Sequence, residues 1–382
     1  MIFVPRTNRS VVGNWWWTVD RTMLAGVGLL AVIGTILIFA ASPAVSERVY
    51  GAEMHFVVKH LVMLAPATFL LLFVSMLSPL GVLRLSVGMY ALFGFLTVLT
   101  MFFAPEVKGA TRWLPIFGLP LQPSEFLKPA VIVFMAWVLA RRHGLMGFPT
   151  ALAVVIPVLT VLVLQPDVGM TALVAAAAGA QMFVAGLGWV WVLLLLGAGV
   201  LGAWQAYLWL PHFAERVNDF MDPTSLGYQI ERALRAVASG GLFGRGPGEG
   251  LQNRHLPDAH ADFIFAATAE EFGVVACLAL VALFAFLILR GLWRLADTTD
   301  RFVLLAASGL IAQFGLQALI NMAVNVQLAP SKGMTLPFIS YGGSSMLALS
   351  IATGLLLAFT RRNPYLTRSP YVVKWGGESA KQ

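Results

Sequence analysis

The stretch MLAGVGLLAVIGTILIFAA (residues 23–41) is apolar from end to end, with Arg21 just before it. A secretory signal has a shorter apolar core and a small-residue cleavage site. This run is long for such a core, and Ala40-Ala-Ser-Pro-Ala44 matches a cleavage site only weakly. It reads as a membrane-spanning helix, because about 20 apolar residues cover the roughly 30 Å hydrocarbon core. Similar runs recur at 60–78, 82–103, 126–140, 148–165, 169–187, 188–210, 262–290, 302–326 and 336–360. The expected fold is therefore all-α, a polytopic membrane protein of about ten transmembrane helices across residues 23–360. One long extracytoplasmic loop, 211–261, falls between spans 7 and 8. The run at 126–140 is short, so it is expected to tilt or to be extended by the amphipathic residues before it.

Composition agrees. Of 382 residues, 59% are hydrophobic and 11% charged, against about 25% charged in soluble domains. Mean hydropathy is +0.81. A soluble enzyme, a disordered chain and a disulfide scaffold are excluded, the last because Cys277 is the one cysteine. The net charge of +7 is spread over loops among apolar runs. That suits membrane lipids or a phosphate-bearing ligand, and not nucleic acid. No Gly-rich phosphate loop with a following Lys, HExxH or paired CxxC is present.

Ten spans put both termini on one side, and Lys and Arg choose which. With the N-terminus inside, 14 basic residues are inside and 11 outside, but five of the 11 lie in the long loop, which counts less. Segments 1–22 and 361–382 are then cytoplasmic. The Trp15-Trp16-Trp17 cluster fits an interfacial belt before span 1.

Polar groups near a span are costly unless paired or wetted, so their positions inform. Four clusters fall on the outer side. The first joins Lys108, Arg112 and Trp113 to Glu125 and Lys128. It reads either as an interfacial loop with a Glu125–Lys128 pair, or as an anion site in which Arg112 offers a planar fork and Lys128 a point charge. The second, Gln165-Pro-Asp-Val-Gly169, reads as a turn with Asp167 capping the next helix. The third is the glycine-rich stretch 240–250 around Arg245, followed by Asp258, His260 and Asp262. A helix starting near Pro257 would put both aspartates on one face of its first turns, where they serve either the helix start or proton transfer. Glu270 and Glu271 lie deeper in that span, where a basic residue on a neighbouring helix is one candidate partner and a structural or proton-holding role is expected. In the fourth, Gln313, Gln317, Asn321 and Asn325 recur every four residues and should face the bundle interior. Lys332 and Leu336-Pro-Phe-Ile-Ser340 follow.

These clusters carry a family resemblance. KGATRWLPIFGLPLQPSEFLK (108–128), LQPDVG (164–169), GGLFGRGPGEG (240–250), LPDAHADFIFAATAEEFG (256–273) and NVQLAPSKGMTLPFISYGGSS (325–345) resemble, in order, the motifs of the SEDS family of membrane-embedded peptidoglycan glycosyltransferases. The wording is more like the cell-division branch than the elongation branch. Ala261 departs from the Thr usual there, and Glu231-Arg232 from a frequent Gln-Ser. The resemblance implies lipid II as substrate, glycan chain growth as reaction and undecaprenyl pyrophosphate as leaving group. It also implies a class B penicillin-binding protein and other division proteins as partners, in a bacterial inner membrane at the septum. The family's essential aspartate corresponds to Asp262.

The chemistry asks for the same residue types. A sugar hydroxyl needs a base, and Asp262 is the candidate catalytic residue. A departing pyrophosphate needs fixed cations, for which Arg112, Lys128, Arg245 and Lys332 are candidates. Glu125, His260 and Ser340 complete the expected substrate-binding set. No cofactor is required, because the activated phosphate arrives on the substrate. A divalent cation between Asp262 and the pyrophosphate is compatible with this chemistry, but no metal-ligand set is visible. A lipid flippase is the competing reading, and a scaffold the third. The bare inner halves of the spans favour the enzyme.

Overall fold

The computed structural model describes residues 10–106, 111–116, 119–142, 147–221, 228–330 and 333–361. Each of the ten apolar runs coincides with a helix. These are α2 (Arg21–Ala41), α4 (His55–Ser75), α5 (Pro79–Phe103), α6 (Pro123–Arg141), α7 (Gly147–Leu164), α8 (Val168–Val184), α9 (Trp189–Trp209), α12 (Ile264–Leu295), α13 (Arg301–Asn325) and α14 (Gly343–Phe359). Eight are long and apolar enough to cross a membrane. The exceptions, α8 and α14, have 17 residues each, a rise of about 26 Å. Short helices α1 (Val11–Thr18) and α3 (Pro43–Tyr50) flank α2.

Local chemistry sets the helix starts. Asp20 accepts from the amides of Thr22 and Met23 to cap α2, and Ser78 caps α5 ahead of Pro79 at its first position. The short run at 126–140 becomes a full-length helix because α6 begins at Pro123, within the polar residues before it. Of the helices long enough to span, α6 is the most buried; it packs on α5, α7 and α13. At the other extreme, no residue of α9 is buried.

The long loop is not extended chain. It carries α10 (Pro211–Met221) and α11 (Tyr228–Gly240), and α11 packs on α12. Gly240 meets the backbone at Ala269, where any Cβ would collide. A small second core joins Val45 and Phe56 to Ala233, Ala236, Leu256, Phe263 and Val324. Strands β1 (Leu114–Ile116) and β2 (Leu119–Leu121) pair antiparallel, Leu114 opposite Leu121.

Two helix starts bear on the site. The last span begins at Gly343, not 336, because residues 336–342 turn back: the Leu336 amide donates to Ser340 Oγ and the Tyr341 amide to the His260 carbonyl. Span 8 begins at Ile264, not near Pro257. Residues 257–263 form turns, with Asp258 at φ +56. Asp258 and Asp262 therefore do not share a helical face. Both precede the helix.

Candidate active site

The polar stripe of α13 builds the floor of the site. Asn321 Nδ2 and Asn325 Nδ2 both donate to the Asp262 carbonyl, at 3.0 and 2.9 Å. Asn325 Oδ1 accepts from the Ala266 amide at 2.9 Å, and Asn321 Nδ2 also reaches the Met334 carbonyl at 2.6 Å. Ser340 Oγ donates to the Ala261 carbonyl at 2.6 Å. That bond uses backbone at residue 261, so having Ala there instead of Thr leaves it intact. Asp262 is thus held just before α12, half-buried, with Gly333 beside its Oδ2. The stripe faces the bundle as its period required.

A second wall carries the charges. Arg112 Nη1 lies 3.5 Å from Asp167 Oδ1, and Nη2 donates to the Pro166 carbonyl at 2.6 Å. Its Nε is buried with no hydrogen-bond partner among the described residues. Asp167 caps α8 through the Met170 amide, as its sequence position suggested. Burial pushes the Asp167 carboxyl upward, against the pull of Arg112 and that amide. Lys128 Nζ pairs with Glu125 Oε2 at 2.9 Å and donates to Gln317 Oε1 at 3.0 Å, while Gln317 Nε2 reaches the Thr335 carbonyl. Both members of that ion pair are buried.

Arg216 joins this group from α10. Burial and the nearby Arg112 lower its guanidinium from its ordinary value, while Asp167 and Asp262 support its charge. It therefore stands in the field of both carboxylates. In the sequence it counted only as an outer-side charge. The signal that could have found it is the helical spacing of Phe213, Val217 and Phe220 beside it.

Other candidate residues lie elsewhere. Arg245 is exposed, its Nε on the Ser239 carbonyl and its backbone amide on Glu270, about two helical turns beyond Asp262. His260 is buried and stacks on Phe56, with ring centroids 3.8 Å apart, and burial pushes its imidazole down to about 4. Ser340 acts on backbone. Lys332 lies outside the described residues, as does Lys108. Among the described residues, Glu270 and Glu271 take no basic partner from a neighbouring helix. Instead the amides of Gln252 and Asn253 donate to Glu270, and the Gly248 amide and Asn253 Nδ2 to Glu271. Among the described residues, no cluster of three His, Cys, Asp or Glu could hold a metal ion.

Comparison with known proteins converges on one group. The family model described as "cell cycle protein", covering FtsW, RodA and SpoVE, matches residues 20–365. A probable peptidoglycan glycosyltransferase FtsW of Caulobacter vibrioides is 42% identical over 364 residues, 94% of this chain and 93% of the relative. Its counterpart from Hydrogenovibrio crunogenus is 34% identical over 355 residues, 89% and 91% of the two chains. Among solved structures, a chain from a peptidoglycan synthase complex, studied for how polymerization and crosslinking are coordinated, superposes with a TM-score of 0.76 at 26% identity. The match covers 90% of this chain and 97% of that one. The rod shape determining protein RodA of Thermus thermophilus gives a TM-score of 0.68 at 26% identity, with the same coverage.

Proposed function

Because this chain belongs to the FtsW, RodA and SpoVE family of cell cycle proteins, we propose that it is a multi-pass membrane peptidoglycan glycosyltransferase of the FtsW type, polymerising lipid II during septal wall synthesis. The observation that supports the reading is the electrostatic coupling of Arg216 on α10 to Asp262 at the head of α12, to Asp167 and to Arg112, whose Nη1 lies 3.5 Å from Asp167. The 4-hydroxyl of lipid II attacks the anomeric carbon of the lipid-linked glycan. Asp262 accepts the hydroxyl proton as the new C–O bond forms. The anomeric C–O bond to phosphate breaks, and undecaprenyl pyrophosphate departs with the electron pair.

Arg112, with Nε unused, and Arg216 stabilise charge gathering on that leaving group. Lys128 is neutralised by its buried pair with Glu125 and bonded to Gln317, so it braces this wall and adds no net charge. Of the other residues expected at the substrate, Ser340 supports the backbone that carries Asp262. The reaction needs no resident cofactor, since activation comes with the donor. A class B penicillin-binding protein would crosslink the glycan, a reading supported by similarity to a synthase complex that couples the two steps. We assign both termini to the cytoplasm from the basic-residue bias.

Asp262→Asn tests the proposal in nanodiscs with lipid II and the transpeptidase present. The expected result is a loss of glycan product of about 10²–10⁴-fold, the usual contribution of a general base, with thermal stability kept. Undiminished glycan removes Asp262 from the chemistry. Flipped lipid without glycan would make the protein a transporter.

A further inference from the structure

We propose that the tip of the glycine-rich loop, Leu242–Phe243, is a lipid anchor seated in the membrane leaflet on the loop's side, with Arg245 at the depth of the lipid phosphates. The inference is independent of the glycosyl-transfer reading. It begins with a break in α12. Gly273 has φ +79 inside the helix, so residues 274–295 form a separate segment of about 33 Å, enough by itself for the hydrocarbon core. Val274 and Val275 therefore lie near the membrane boundary.

A helix start leaves amides without acceptors. Here the loop supplies them: the Val274 amide donates to the Gly241 carbonyl at 3.0 Å and the Val275 amide to the Leu242 carbonyl at 3.2 Å. Those two bonds fix the loop tip at the boundary. The backbone behind it is equally fixed. The amides of Arg245 and Gly246 donate to the carbonyls of Glu270 and Glu271, and the Gly248 amide to Glu271 Oε2. Gly244, Gly246 and Gly248 all have positive φ, the conformation this tight path requires.

From this fixed backbone two large apolar side chains project, Leu242 at 65% and Phe243 at 80% exposure. They continue an apolar strip of α12, where Val275 is 49% and Leu278 62% exposed. That strip faces hydrocarbon in a spanning helix, so the tip beside it does too. The exposed Arg245 follows within two residues, the arrangement of an interfacial anchor: apolar side chains in the acyl boundary and a cation at the phosphates.

The test uses the full chain in nanodiscs of phosphatidylethanolamine and phosphatidylglycerol. Phe243→Cys and Glu249→Cys are labelled separately with an environment-sensitive fluorophore. The native Cys277 is buried, and unsubstituted protein labelled in parallel gives the background. Both positions are exposed, so folding is retained, as circular dichroism checks. The label at 243 should be quenched by shallow spin-labelled lipid at least about twofold more than the label at 249, and shielded from aqueous iodide. Equal iodide quenching at the two positions overturns the proposal. So does shielding at 243 that appears only after a transpeptidase is added, which would make the tip a protein-binding surface.

Discussion

The molecule carries two clusters of arginine and carboxylate, and they differ in how completely their bonding is used. On the side of the chain termini, Asp20 is fully buried. It accepts from the Thr22 and Met23 amides, from Arg290 Nε at 2.8 Å and Nη2 at 3.3 Å, and from Arg294 Nε. Burial alone would raise its carboxyl; the guanidiniums of Arg294 and Arg290 outweigh it and hold it at about 2. At the opposite end, Arg112 keeps a buried Nε without a hydrogen-bond partner among the described residues, Asp167 is pushed upward, and Arg216 feels the charge of Asp167 and Asp262. The first cluster ties the start of α2 to the end of α12. The second has donor capacity left for an anion. Residue type does not separate them; completeness of hydrogen bonding does.

The largest effect expected from this contrast is on stability. Asp20→Ala leaves two arginines facing each other and should cost about 3–5 kcal/mol, read as a lower thermal midpoint, while the protein that stays folded polymerises normally. A normal midpoint would mean that the Asp20 contacts hold nothing. Arg112→Ala should do the reverse, lowering polymerisation by about 10²–10³-fold with a small change in midpoint. Arg112→Lys, which keeps charge but not the planar fork, should recover only part of the activity. Equal losses of activity and stability would make Arg112 a structural residue like Asp20.

The pH response sharpens the same comparison. The folded-state carboxyl of Asp20 titrates below its unfolded value. Its contribution, about 2 kcal/mol, is therefore full above the unfolded value of 3.8 and is lost as pH falls toward about 2. Acid melting of Asp20→Asn should lack that component. The smallest effect is at Ser340→Ala, which removes bonds to the Leu336 amide and the Ala261 carbonyl. About 1–3 kcal/mol is expected, with activity falling no more than stability explains. A selective loss of turnover would move Ser340 into the substrate contacts.

Much of this was legible in the sequence. Apolar period and length located all ten helices, and the four-residue spacing of Gln313, Gln317, Asn321 and Asn325 identified a face that does bond across the bundle. What was not legible depends on distant chain segments meeting. Pro257 suggested a helix start, but Asn321 and Asn325 capture the Asp262 carbonyl and residues 257–263 turn instead. Glu270 and Glu271 suggested a structural or proton-holding role with a basic residue as one candidate partner, but the groups that bond them are backbone amides of a loop more than 15 residues earlier. Asp20, Arg290 and Arg294 are separated by some 270 residues and share no motif. Arg216 lies on a helix inside what read as a loop.

The most direct test of the central claim is the binding of undecaprenyl pyrophosphate, the proposed leaving group, to unsubstituted protein, Arg112→Ala and Arg290→Ala in matched nanodiscs. Loss of one charge-assisted contact of about 1.5–3 kcal/mol should weaken binding by Arg112→Ala about tenfold or more and leave Arg290→Ala unchanged. Equal affinity in all three, or a loss shared by both variants, would contradict the assignment of the Arg112 cluster as the pyrophosphate site.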